Sequence, residues 1–215
     1  MDQKAVMTMD AAKIQAALNQ QSFRIIDNDL FARSAVLVPL IRNPDNEWSV
    51  LFQVRASHLK RQPGEICFPG GTLEGPGENP LQAAHRETGE ELGLTSEQIS
   101  IWGELGLIIS PFNLLLFSFV GEIPEVNALK PSPDEVDSVF ALPLTRLLAL
   151  QPKTHHIYIQ AQPAADFPFD KIPGGQSYPW RTGVLPEVFY EIDGHIIWGL
   201  TARILQQFLD LVRKL

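Results

Sequence analysis

The stretch from Asn79 to Gly93 carries a complete set of helix boundaries, and it fixes one element of the fold before anything else is read. Asn79 is a good N-cap, Pro80 suits the first helical turn, Gln82 stands where a capping-box partner belongs, and Gly93 supplies a C-terminal stop. A helix from about Pro80 to Leu92 follows. On it Glu87, Glu90 and Glu91 fall at i, i+3 and i+4, so the spacing predicts carboxylates converging on one face. Like charges so placed repel, and a divalent cation that prefers hard oxygen ligands, Mg²⁺ or Mn²⁺, would relieve the repulsion. Arg86 stands i to i+4 with Glu90, while Glu78 is another partner for it. An arginine there orients carboxylates without competing as a ligand. Three glutamates alone would describe an ordinary solvated face. What sets this helix apart is Phe68-Pro69-Gly70-Gly71 in front of it, since two glycines let the backbone approach a ligand and a carbonyl there could complete a metal site.

Around this segment the chain alternates strands and helices. Ser34 to Ile41 and Trp48 to Val54, separated by the turn-rich NPDNE, predict a β-hairpin. Further β-type runs are Ile99 to Ile109, Leu114 to Ile123, Val136 to Leu142 and His156 to Ile159. Asp10 can cap a short amphipathic helix, over about 10–20, whose Ile14, Ala17 and Leu18 side is expected to pack. The last twenty residues, from Trp198 through Ile204, Phe208 and Leu211, carry a broad apolar stripe and predict a helix that closes the core. Between Ala161 and Pro186 the composition shifts to Pro, Gly, Ala and aromatics, an irregular excursion rather than a second domain. The expectation is one α/β domain over 1–215, with its core at about 34–212 and a mixed β-sheet.

Bulk properties narrow the function. A chain of 215 residues, 45% hydrophobic, can bury a sizeable core. Its net charge of −8 argues against capture of a nucleic-acid backbone, so any anionic substrate must meet locally placed cations or metals. The lone Cys67 excludes an intramolecular disulfide and has no zinc-ligand neighbours. The N-terminal segment lacks a sustained apolar core and no run reaches membrane-spanning length, which leads us to expect a soluble cytoplasmic protein without membrane contact. His155, His156 and His195, and Trp180 and Trp198, read as core or surface residues rather than catalytic or stacking ones. The apolar C-terminal helix and the excursion leave room for a homodimer.

The run from Arg86 to Leu94 resembles the Nudix hydrolase signature GX5EX7REUXEEXGU, where U is bulky and aliphatic. Thr88 takes one aliphatic position, and the loop before Glu78 is one residue longer than the consensus. Gly89 inside the helix is a further departure, costing about 1 kcal/mol relative to Ala. The resemblance implies a Nudix-type α/β/α sandwich and a metal-dependent pyrophosphohydrolase acting on a small-molecule diphosphate. Glu87 and Glu91 would be first-choice metal ligands, Glu90 a further ligand or base, and the Gly70 carbonyl a helper, with Arg86 and Glu78 in support.

A narrower resemblance surrounds the signature. Leu51 to Gly71 is similar to the pattern LLTXR(S/A)X3RX3GX(V/I)XFPGG of coenzyme A pyrophosphatase-like Nudix proteins, with Arg55, Ala56, Gly64, Ile66 and Phe68 to Gly71 in register. Phe52, Gln53 and Lys60 depart from it. Asp134-Glu135-Val136 and Ile197 to Ala202 resemble two downstream segments of that subfamily, which also tolerates the longer loop. Arg55, Lys60 and Arg61 form a local positive segment in an acidic protein and, with Gly70 and Gly71, are the expected substrate contacts. The implied substrate is coenzyme A or a derivative. ADP-ribose, a dinucleotide or a nucleoside triphosphate is the enzymatic alternative, and a nucleotide-sensing module without catalysis the other. The general base stays open among Glu90, Asp134 and Glu135.

Overall fold

The computed structural model describes residues 10–22, 25–43, 45–75 and 77–215. Residues 1–9, within the segment read as lacking a secretory signal, and Pro44 of the hairpin turn lie outside them. The described residues fall into two units, one ending at Phe31 and one running from Ala32 to Leu215. The first holds α1 (Ala11–Asn19), where Ala12 N donates to Asp10 Oδ1 at 3.0 Å, so Asp10 caps as the sequence predicts. No residue of α1 is buried, and Ile14, Ala17 and Leu18 are exposed. Among the described residues no helix is long and apolar enough to cross a membrane.

In the second unit the elements run β1 (Ala32–Arg42), β2 (Trp48–Arg55), β3 (Ile66–Cys67), β4 (Gly70–Thr72), α2 (Pro80–Leu92), β5 (Ser100–Ser110), β6 (Leu114–Glu122), β7 (Val136–Pro143), α3 (Leu144–Ala149), β8 (Lys153–Gln160), β9 (Thr182–Ile192), β10 (His195–Trp198) and α4 (Gly199–Val212). The first seven strands form one mixed sheet. β1 runs parallel to β6 and antiparallel to β2 and β4, while β2 also pairs with β3 and β7, and β5 with β6. β1 pairs with β2 only from Leu40 to Arg42, opposite Val50 to Trp48, and at Ser34 to Val36 its partner is β4. That divergence seats the two glycines of the loop directly on the central strand.

β1 is buried on both faces, as a central strand flanked by parallel and antiparallel neighbours should be. Ala35, Leu37 and Ile41 join Ala83, Ala84 and Leu92 of α2 in one apolar cluster. Val38 and Leu40 point the other way, into a second cluster with Leu205 and Phe208 of α4 and with Tyr190 and Ile197. The sheet is therefore covered by a helix on either side.

Two features of the C-terminal third differ from the sequence reading. The second layer is shared by α4 and a three-stranded antiparallel sheet, β10-β9-β8, of which only β8 was anticipated. The β9–β10 hairpin turns at Asp193-Gly194, both at positive φ (51° and 80°), the geometry of a tight Asp-Gly turn between alternating residues. Trp198 belongs to β10, with φ −143° and ψ 177°, so the terminal helix starts one residue later, at Gly199. Its ring stacks on Phe189, and His195 stacks on Phe140 at 3.8 Å between centroids, so both pack as expected. The excursion is irregular only up to Arg181, with short 3₁₀ turns at Phe169–Lys171 and Gly175–Ser177, and Trp180 packs edge-on against Phe167 and Tyr178.

Candidate active site

α2 has the boundaries its sequence announces. Gln82 N donates to Asn79 Oδ1 at 2.9 Å and Asn79 N to Gln82 Oε1 at 3.1 Å, a reciprocal capping box, and Gly93 closes the helix at φ 67°. Thr88, at the aliphatic position, is fully buried because its hydroxyl donates to the Ala84 carbonyl at 2.7 Å. The loop and helix are locked together at two points. Gly70 N donates to Glu91 Oε2 at 2.8 Å, and the Gly71 backbone lies so close to Glu87 that a Cβ there would stand 2.3 Å from its carboxyl carbon.

Arg86 organises the outer rim. Its Nε donates to Glu78 at 2.9 Å, and its Nη1 reaches Glu87 at 3.0 Å and Glu90 at 3.1 Å. Nη2 donates to Glu78 and to the Thr72 carbonyl. Glu78 also accepts from Glu74 N. The Arg86 guanidinium holds the Glu78 carboxyl below its usual range, and Glu78 in turn raises the Arg86 pKa. Arg86 thus ties the loop to the helix as a permanent cation.

The three glutamates do not form one cluster. Glu91 is 4% exposed, while the side chains of Glu87 and Glu90 are 16% and 58% exposed. Successive residues on a helix are rotated by roughly 100°, so Glu90 turns outward to Arg86 where Glu91 turns under the sheet. Among the described residues no three His, Cys, Asp or Glu side chains converge as they stand to hold a metal. Burial pushes the Glu91 carboxyl up to about 7 against the pull of Gly70 N and Gln53, and the charges of Glu135 and Glu87 push the same way. Glu87 is raised too, mainly by burial, with Glu90 and Glu135 adding repulsion. A buried carboxylate beside a second one offers hard oxygen donors whose repulsion a divalent cation would relieve, so Glu87 and Glu91 fit such an ion.

Glu135 was one of three open choices in the sequence. The chain after α2 folds back on it: Lys130 N donates to the Leu92 carbonyl, Ser132 N to that of Glu91, and Ala56 N to that of Glu135. This brings Glu135 within electrostatic range of Glu87 and Glu91. Arg55, at the end of β2, interacts with the thiol of Cys67, itself pushed up to about 11 chiefly by burial and next by the charge of Glu91. Lys60 and Arg61 remain exposed on the loop between β2 and β3, where Arg55 Nη2 touches the Arg61 carbonyl at 3.5 Å. Gln53 is a residue whose part the sequence reading missed. It is fully buried in β2, between Glu91 and Cys67, and its signal was a glutamine within the otherwise apolar run Val50 to Val54.

Because the folded pKa of Glu91 lies above its unfolded value of 4.5, the folded protein holds this proton more tightly, and stability falls as pH rises from about 4.5 through 7. The loss is on the order of 3 kcal/mol, or roughly 6–12 °C in melting temperature for a chain of this size. Glu78 and Asp193 are lowered, so their windows lie near and below their ordinary values and do not overlap this one. Melting scans with EDTA between pH 5 and 8 are expected to show this decline in the wild type and a flatter profile in Glu91→Gln. Parallel profiles would remove Glu91 as its source.

The family model described as NUDIX domain matches residues 32–162, more than half of the chain. Nudix hydrolase 3 of Caenorhabditis elegans is 36% identical over 128 residues, covering 58% of this chain and 52% of that protein, so the match spans about half the worm protein. An uncharacterized Nudix hydrolase NudL of Photorhabdus laumondii is 28% identical over 201 residues, 94% of this chain and 95% of the relative. Its counterpart in Salmonella paratyphi B is 31% identical over 176 residues, 81% of this chain and 80% of the relative. Among solved structures, a MutT/nudix family protein from Enterococcus faecalis is 16% identical with a TM-score of 0.49, covering 96% of this chain and 71% of that one. The chain belongs to the Nudix hydrolase family, pyrophosphohydrolases that act on small-molecule diphosphates and generally use divalent metal ions.

Proposed function

We propose that the protein hydrolyses a nucleoside diphosphate linked to another moiety, with coenzyme A or a derivative as substrate and 3′,5′-ADP and 4′-phosphopantetheine as products. The observation that carries the hydrolytic part is the double seat of the Gly70-Gly71 loop on Glu91 and Glu87. Glu87 and Glu91, with Glu90 and the Gly70 carbonyl, would hold Mg²⁺ or Mn²⁺, and Glu87 and Glu90 turn from Arg86 to do so. Bound there, the cation supplies charge stabilisation for the phosphates and a more acidic water. Glu135 is the proposed general base. It is supported by its electrostatic proximity to both inner glutamates, whereas Glu90 is engaged by Arg86 on the outer rim.

Arg55 is the proposed determinant for coenzyme A, supported by its motif register and its Nε, buried and without a protein partner. A guanidinium presents paired donors to a phosphate oxygen pair. Lys60 and Arg61 supply further positive charge along the same loop, and the Gly70 and Gly71 backbone a close approach. A panel of coenzyme A, ADP-ribose, a diadenosine polyphosphate and a nucleoside triphosphate, each with Mg²⁺ or Mn²⁺, tests the assignment. Coenzyme A is expected to give the highest kcat/KM. Arg55→Ala is expected to lower that value about 10- to 100-fold, the cost of one lost charged contact. Dephospho-coenzyme A, which lacks the 3′-phosphate, should lose less. Equal losses on both would sink the specificity role, and no turnover on any member would favour a nucleotide-sensing module.

A further inference from the structure

Gln53 is a polar side chain with no exposed surface in the middle of an apolar strand, an arrangement that costs stability unless its groups are used. Leu51, two residues earlier on the same face of β2, packs in the cluster beneath α2. Gln53 therefore points to the helix that carries the acidic residues. Its register partner is Cys67, whose Sγ accepts from Gln53 Nε2 at 3.6 Å. Three residues beyond Cys67, Gly70 N holds the other side of the site by donating to Glu91 Oε2. Glu91 thus meets the loop through Gly70 N and β2 through the Gln53 side chain, which draws its pKa down. Gln53 Oε1 is buried and has no partner in the protein.

We propose that Gln53 is a positioning residue for Glu91: its amide fixes the carboxylate against the Gly70 N–H, and its unpartnered Oε1 accepts from a water of the bound cation's hydration shell. The inference rests on the metal-site reading given above. An apolar side chain of the same length would fill this volume with no buried polar atom to satisfy, so packing alone does not explain a glutamine. Outer-shell hydrogen bonds that orient a metal-binding carboxylate typically contribute about 10- to 100-fold to metal affinity. Gly70 N fixes one carboxylate oxygen of Glu91, and the Gln53 side chain draws the pKa of the same carboxyl down.

The test is direct Mn²⁺ titration of the substrate-free protein, read by electron paramagnetic resonance, with Glu91→Gln marking loss of the ligand itself. Gln53→Met keeps length and removes both polar atoms. We expect a melting temperature in EDTA within a few degrees of wild type and an Mn²⁺ Kd weakened about 10- to 100-fold. If the methionine variant does not fold, Gln53→Asn keeps the amide but withdraws it by one methylene, and the same weakening is expected. A folded variant whose Mn²⁺ Kd matches wild type overturns the positioning role and leaves the metal site standing. A wild-type protein that binds no Mn²⁺ overturns both.

Discussion

Glu91→Gln is expected to lower metal-dependent turnover by about a thousandfold, the scale on which one charge-stabilising group contributes to a hydrolytic site. The substitution changes charge and almost nothing else. The glutamine has the same length, and its oxygen can still accept from Gly70 N, so the loop keeps its seat on α2. Stability in EDTA at pH 7.5 should hold or rise, because a carboxylate that is 4% exposed and pushed up to about 7 no longer has to ionise in the interior. A loss of activity beside unchanged or raised melting temperature therefore separates chemistry from folding. Glu90→Gln is the internal comparison. Its carboxylate is 58% exposed and tied to Arg86, and a loss nearer tenfold is expected. Full turnover of Glu91→Gln with Mg²⁺ would remove Glu91 from the proposed metal site.

Much of this arrangement could be read before any coordinates. Asn79, Pro80, Gln82 and Gly93 are local signals whose meaning needs no tertiary context, and α2 begins and ends where they place it. The β1–β2 hairpin and the strands β5 to β7 are predominantly apolar runs set off by turn residues, and they were legible for the same reason. Short elements escaped: β3 and β4 have only two and three residues, too few to display a period, and their existence depends on β1 and β2 diverging. The β9–β10 hairpin was missed although Asp193-Gly194 announces it, because the apolar stripe of the following helix was extended back over Trp198. Within the site, spacing gave the glutamates' order along α2 but not their different depths, which arise from what covers each one. Gln53 was legible only as an oddity, since its neighbours are Cys67 across the sheet and Glu91 from a helix far along the chain.

The two loop glycines are expected to fail differently when given a methyl group, and the contrast tests how loop and helix are joined. At Gly70 the backbone has φ 149°, outside the comfortable range of an L-residue, and a Cβ would stand 2.2 Å from the Ala35 carbonyl oxygen and 2.6 Å from Val36 Cα. Both obstacles are backbone atoms of the central strand and cannot step aside. Backbone strain and overpacking together predict a loss on the order of 4 kcal/mol for Gly70→Ala, or roughly 8–16 °C in melting temperature. Gly71 has no positive φ to satisfy, and its added Cβ would meet the Glu87 carboxyl group at 2.3–2.5 Å. A side-chain carboxylate can rotate away, so Gly71→Ala should melt within a few degrees of wild type. The rotation moves Glu87 from its place beside the loop, and with it one of the proposed ligands. Turnover is expected to fall about a hundredfold or more, because a displacement near 1 Å at the reacting centre is felt on that scale. Differential scanning calorimetry and a metal-dependent hydrolysis assay on the two variants separate the cases. An active Gly71→Ala protein would show that Glu87 tolerates displacement from the loop, and a Gly70→Ala protein as stable as wild type would contradict the seating of Gly70 on β1.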